Sequence, residues 1–172
     1  MKKLRFVGLF LAVFASFLAV WKVTDAGHWY TEGVLAVAGM IGPMLHGWVL
    51  EAAAGGRGVP TWVYGSNRVQ ASIQFDAMAV NLVPLVALLA VTPGLRLRRR
   101  GAIVLIGAML YFLVDTLVVA LFPLLVFYKN AFTDVIGTFL GLIAFVGAPV
   151  IIWFALAFRQ LQQFLPSLSP RS

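Results

Sequence analysis

Apolar residues in this chain come in long runs, separated by short segments that are rich in polar residues, glycine or proline. A helix needs about 20 consecutive apolar residues to cross a bilayer. Four stretches approach or exceed that length, and they predict transmembrane helices at residues 5–21, 77–93, 102–128 and 135–158. The pattern therefore predicts an all-α, polytopic membrane protein with a single membrane domain over residues 1–172.

A fifth apolar segment, residues 33–50, is ambiguous because it contains Pro43 and several glycines. Basic residues favour the cytoplasmic side of a membrane. They cluster in two places, at positions 2, 3 and 5 and at positions 96, 98, 99 and 100. An even number of spans must then separate the two clusters, and two are already present. We therefore expect 33–50 to be a helix at the outer interface, with both termini and a tail at 159–172 inside.

The outer segment, residues 22–76, is also predicted to contain a β-hairpin at residues 59–75. Apolar and polar residues alternate strictly between Arg68 and Phe75, which is typical of a half-buried strand. Residues 59–64 are the expected partner strand, and Gly65-Ser66-Asn67 is the expected turn. Five aromatic residues of this segment predict a belt at the outer membrane interface, namely Trp29, Tyr30, Trp48, Trp62 and Tyr64.

Composition excludes several classes of protein. Of the 172 residues, 62% are hydrophobic and 11% are charged, whereas soluble domains are about half apolar and a quarter charged. The net charge of +7 is expected to orient the chain in the bilayer rather than to bind nucleic acid. The chain has no cysteine, so disulfides and thiol nucleophiles are excluded. We expect no cofactor and no metal site.

The strongest candidate functional residue is Asp115, which interrupts a 27-residue apolar run. An acid inside a membrane span is costly and suggests a function, although a structural role in helix packing is an equally good interpretation. Asn81 lies inside the second predicted span and suggests interhelical hydrogen bonding. His46, Asp76 and Asp134 fall near the outer interface, where helix capping or packing explains them. Together these five residues form the candidate polar cluster.

The order of these elements resembles the short exosortases of Gram-negative bacteria. The resemblance covers residues 5–158 and depends on the run Asn81-Leu-Val-Pro-Leu-Val-Ala-Leu-Leu-Ala-Val-Thr-Pro93, on the basic segment that follows it, and on Ala148-Pro-Val-Ile-Ile-Trp153. Exosortases are membrane transpeptidases that process C-terminal PEP-type sorting signals with a Cys, an Arg and a His.

None of these three catalytic residue types is present at the matching position. Gln74-Phe75-Asp76 occupies the expected place of the Cys, Asp115 that of the Arg, and Asp134 that of the His. The chain is more similar to the exosortase H-associated membrane proteins, which lack the triad. The resemblance thus implies a non-catalytic protein of the bacterial inner membrane that partners a protein-sorting system. The alternatives are an accessory structural subunit of a larger membrane complex and, third, a solute or proton pathway through Asp115.

Overall fold

The fold was derived from a computed structural model, which describes residues 2–51, 60–70, 79–128 and 130–164. It is mostly helical, with a small antiparallel sheet of three strands. The elements are α1 (Lys2–Val23), α2 (Ala26–His46), β1 (Val49–Glu51), β2 (Thr61–Tyr64), β3 (Asn67–Gln70), α3 (Leu82–Val91), α4 (Leu97–Phe127), α5 (Ala131–Leu142), a π-helical segment (Ile143–Gly147) and α6 (Ala148–Phe164).

Two of the four predicted spans coincide with helices that are long and apolar enough to cross a membrane. In the described part of the chain these are Leu4–Val23 within α1 and the whole of α4. Length and composition alone support this assignment, and a buried core helix or a signal sequence has the same properties. None of the hydrophobic stretch of α1 is buried by the rest of the protein, compared with a third of that of α4.

The predicted spans at 77–93 and 135–158 are not confirmed. Helix α3 has only ten residues, about 15 Å at 1.5 Å per residue. It begins only after a turn at Asn81, and Thr92, Pro93 and Gly94 end it. In the last span, the π-helical segment separates α5 from α6. Helix α6 also continues to Phe164, so the first part of the predicted tail at 159–172 is helical and the rest lies outside the described residues.

The predicted boundaries of the helix at 33–50 are wrong at both ends. Helix α2 begins at Ala26 and ends at His46, because Gly47 adopts a left-handed conformation with φ of 77° and its N–H donates to the Pro43 carbonyl. This is the usual way in which glycine ends a helix. Val49 and Leu50 consequently belong to strand β1.

The hairpin within the predicted range 59–75 is confirmed for its central part. Strand β2 pairs with β3 in antiparallel register, with Trp62 opposite Val69 and Tyr64 opposite Asn67. Asn67 is therefore already in the strand, and the loop consists of Gly65 and Ser66 alone. Strand β1 adds a third strand on the other side of β2, which the alternation pattern did not predict. Residues 52–59 and 71–75 lie outside the described residues.

Two hydrophobic clusters form the core. One lies between α2, the sheet and α4, and its buried members include Ala38, Trp48, Trp62 and Val119. The other surrounds α3, whose residues Leu85 and Leu89 are fully buried among side chains of α4 and α6. Helix α3 is apolar on every side, as a helix enclosed by protein must be.

Candidate functional site

Asp115 lies in the interior, as an acid on the protein-facing side of α4 should. Only 1% of it is exposed. The Tyr30 hydroxyl donates a 2.8 Å hydrogen bond to Asp115 Oδ2. Burial raises the pKa of the Tyr30 hydroxyl, and the neighbouring Asp115 raises it further, so the hydroxyl keeps its proton and acts as the donor. The bond joins residues that are 85 positions apart in the chain.

The predicted interfacial belt is wrong for Trp48 and Trp62, which are almost fully buried inside the protein. Tyr30 is half-buried, and its hydroxyl is bonded to Asp115. Among the five aromatic residues, Trp29 and Tyr64 are exposed. The spacing in the sequence indicates that Tyr30 faces the protein. It lies four residues before Val34 on the face of α2 that also carries the buried residues Ala38 and Gly42.

Tyr111 links Asp115 to the π-helical segment. Its side chain is fully buried one turn before Asp115, and its hydroxyl donates to the Ala144 carbonyl at 3.3 Å. The Asn81 side chain interacts with the same hydroxyl. Asn81 and Asp115, both predicted site residues, are thus brought together through Tyr111. We call Tyr30, Asn81, Tyr111, Asp115 and Thr116 the Asp115 cluster.

The π-helical segment has a cause in the sequence. Pro149, in the first turn of α6, has no N–H to donate to the carbonyl four residues earlier, and its ring crowds that carbonyl. The helix responds by widening over Ile143–Gly147. Such widening changes the carbonyl hydrogen-bonding pattern, and the Ala144 carbonyl accepts from Tyr111. Short π-helical segments are frequent at functional sites.

The Asp115 cluster has unused hydrogen-bonding capacity. Asp115 Oδ1 and Thr116 Oγ1 are buried and have no hydrogen-bond partner within the described part of the chain. Buried polar atoms normally have such a partner. The cluster can therefore accept further hydrogen bonds. No group of three or more metal-ligating side chains occurs among the described residues.

His46, another predicted site residue, lies outside the Asp115 cluster. Its Nε2 lies 2.7 Å from the Ala120 carbonyl, and the Trp48 backbone N–H donates to its Nδ1 at 3.1 Å. Both contacts are satisfied by a neutral ring that carries its proton on Nε2. Its ring also packs edge-on against Trp62. These contacts tie the end of α2 to α4, so His46 has a structural role in the fold.

Asp134 also lies apart from Asp115. It belongs to the first turn of α5 and lines an open groove with Val135, Thr138, Phe139 and Leu142. Neither His46 nor Asp115 lines this groove. The predicted capping role falls to other residues, because Asn130 and Thr133 exchange hydrogen bonds between side chain and backbone at 2.8 and 2.9 Å. Asp76, the remaining predicted site residue, lies outside the described residues.

A second polar group, at the end of α3, was not predicted. Trp153 Nε1 donates to the Thr92 hydroxyl at 3.1 Å, and that hydroxyl donates to the Leu88 carbonyl. Arg100 donates to the carbonyls of Thr92 and Leu95. These bonds satisfy the carbonyls that a helix end leaves free and fix the turn between α3 and α4. They position the arginines that follow.

Comparisons of the chain with protein-family models, with curated proteins and with solved structures find no match. The site is therefore interpreted from its own geometry.

Proposed function

We propose that this chain is a non-catalytic membrane protein of the exosortase-like type, which assists a C-terminal protein-sorting system as an accessory or partner. The observation that carries the proposal is the hydrogen bond that Asp115 makes inside the protein. This residue occupies the expected place of the catalytic arginine, and its carboxylate is bonded to the chain's own Tyr30. The absence of cysteine from all 172 residues removes the nucleophile of that chemistry.

The proposed location is the bacterial inner membrane, with four spans and both termini in the cytoplasm. The two long apolar helices α1 and α4 support a membrane location. The contacts of α2 support an oblique interfacial helix. Tyr30 and His46 are about 24 Å apart along α2, but their partners Phe112 and Ala120 are about 12 Å apart along α4. Helix α2 thus crosses α4 at an angle rather than running beside it.

Cysteine labelling tests this topology, since the chain has no natural cysteine. Arg98→Cys and Ser66→Cys both place a thiol at an exposed position. In intact spheroplasts we expect a membrane-impermeant maleimide to label Ser66→Cys but not Arg98→Cys, which should react only after permeabilisation. The reverse result would refute the four-span topology.

Reconstitution of sorting tests the function. An exosortase and a substrate with a C-terminal PEP-type signal would be co-expressed with and without the affinity-tagged chain, and substrate processing would be followed by immunoblot. We expect the chain to increase processing and to co-purify with the exosortase. Processing by the chain alone would contradict a non-catalytic role. Unchanged processing without co-purification would contradict the partnership.

The second candidate function is an accessory structural subunit of a larger membrane complex. The apolar face of α5 favours it, because Phe132, Val135, Phe139 and Leu142 are each more than 60% exposed and follow one another at helical spacing. Purification of the tagged chain in mild detergent distinguishes the two functions. Stable recovery with a respiratory or photosynthetic assembly, in place of an exosortase, would favour the structural role.

A further inference from the structure

We propose that the first turn of α4 binds the phosphate headgroups of anionic lipids through Arg96, Arg98 and Arg99. The inference rests on the proposed membrane location of α4 but not on the proposed sorting function. All three side chains are exposed. The sequence places them between the predicted spans 77–93 and 102–128, but Arg98 and Arg99 belong to the helix, and Arg96 precedes it in an extended conformation. Successive helical residues point in directions about 100° apart, so the Arg98 and Arg99 side chains leave the helix in different directions, next to Arg96 at its N-cap.

Unlike Arg96, Arg98 and Arg99, Arg100 is not part of the exposed basic surface. It is half-buried and turns back to the carbonyls of Thr92 and Leu95. This arrangement anchors the turn before α4 in one conformation. The guanidinium groups of Arg96, Arg98 and Arg99 are therefore presented from a fixed helix end.

The arrangement is electrostatically unfavourable in the protein alone. The positive end of the helix dipole lies at the N-terminus of a helix, where acidic residues are stabilising and basic residues are not. The first turn of α4 contains no acidic residue. The ion pairs in the described part of the chain, His28 with Glu32 and Arg68 with Glu51, involve none of these arginines. Among the residues that the structure describes, the like charges at this helix end thus have no counterion.

An anionic lipid supplies that counterion in the right place. Arginine binds phosphate through two parallel hydrogen bonds, and clusters of basic residues next to a membrane helix attract anionic lipids. Leu97 stands between Arg96 and Arg98 and is 82% exposed. It begins the long apolar helix α4, so it can contact an acyl chain while the arginines contact the headgroup. Charge complementarity and continuity with this helix favour a lipid over a soluble anion.

Native mass spectrometry of the full chain in a neutral detergent tests the proposal. The protein would be titrated with phosphatidylglycerol and, separately, with phosphatidylcholine of the same acyl chains. The test variant is Arg98→Gln/Arg99→Gln. The control is Ser66→Asp/Arg68→Gln, which lowers the net charge by the same two units at exposed positions of the hairpin. Each arginine near an anionic surface is worth about fivefold in affinity, so we expect about a 25-fold loss for phosphatidylglycerol in the test variant only.

The other outcomes decide against the proposal. Equal losses in both double variants would show a non-specific effect of net charge, and no loss in either would show that the arginines do not bind lipid. A preference of the unmodified chain for phosphatidylcholine would also overturn it. Competition by inorganic phosphate at equal concentration would show a site for free phosphate instead of a lipid site. Thermal unfolding of each variant confirms that the fold is retained.

Discussion

Helix α2 contacts the rest of the core in two regions that are built differently. Near its C-terminal end, Gly42 and His46 pack against the buried Trp62 ring of β2, and His46 reaches the Ala120 carbonyl of α4. Near its N-terminal end, Tyr30 reaches the Asp115 cluster, where two buried oxygens have no described partner. Close packing makes the first region sensitive to any added atom. The second region is polar, and some of its buried oxygens have no described hydrogen-bond partner. It is therefore the better place for a function in which a polar group changes its hydrogen-bond partner.

The largest expected effect is Gly42→Ala in the closely packed region. A Cβ atom at Gly42 would overlap two carbons of the Trp62 ring, and a fully buried ring has little room to move. We expect a loss of about 2 kcal/mol in the free energy of unfolding, measured by denaturant titration in detergent.

Gly39→Ala is the matched control for this change, because it lies on the same helix. A Cβ atom there would meet Leu50 at 3.6 Å, an ordinary contact. Alanine is favoured over glycine within a helix by about 1 kcal/mol, so this variant should be neutral or more stable. Equal effects at the two positions would disprove the difference in packing.

In the polar region, Tyr30→Phe and Asp115→Leu should each destabilise the protein by about 1 kcal/mol. The first removes the donor to a buried acid, and the second removes the acceptor of a buried hydroxyl. Asp115→Asn should preserve the fold, since an amide oxygen can still accept from Tyr30. A double-mutant cycle with Tyr30→Phe and Asp115→Leu measures the coupling between the two residues, and additive effects would argue against the bond.

Asp115→Asn also separates structure from function. If this variant folds normally but no longer supports substrate processing, the carboxyl group matters beyond packing. If it retains both stability and processing, Asp115 is a structural residue alone. The processing assay with co-expressed exosortase supplies the functional measurement.

Tyr111→Phe should have a smaller effect, about 0.6 kcal/mol. It removes the long bond of 3.3 Å to the Ala144 carbonyl and the interaction with the Asn81 side chain, and it keeps the buried ring in place. Hydrogen exchange of the π-helical segment should rise in this variant, while exchange in the sheet stays unchanged. A uniform rise across the protein would mean that Tyr111 supports the whole fold rather than this segment.

The smallest effect is expected for Arg68→Gln, which lies on the sheet beside the closely packed region. Its guanidinium is 3.8 Å from Glu51, and both side chains are at least half exposed. Exposed ion pairs contribute at most about 1 kcal/mol and often nothing, so the thermal midpoint should hardly move. A large drop would show that the sheet depends on this ion pair more than on the packing of Trp62.

The sequence by itself predicted the mainly helical fold, two long apolar helices, the centre of the hairpin and the burial of Asp115. These features depend on local pattern, because a long apolar run forms a helix and a strict alternation forms a strand wherever they lie. The start of α4 was placed five residues too late, since arginines that indicate a loop on a hydropathy scale are also good helix formers.

Only the tertiary structure decided which residues meet. The bond between Tyr30 and Asp115 joins distant parts of the chain, and no local pattern specifies such a contact. Helix α3 is enclosed because neighbouring helices cover it. Its apolar sequence alone does not show this, because a membrane span has the same composition. The π-helical segment needs both a local cause in Pro149 and a distant donor in Tyr111. Local sequence patterns thus determined most of the helices and strands, and the packing of distant elements brought the residues of the Asp115 cluster together.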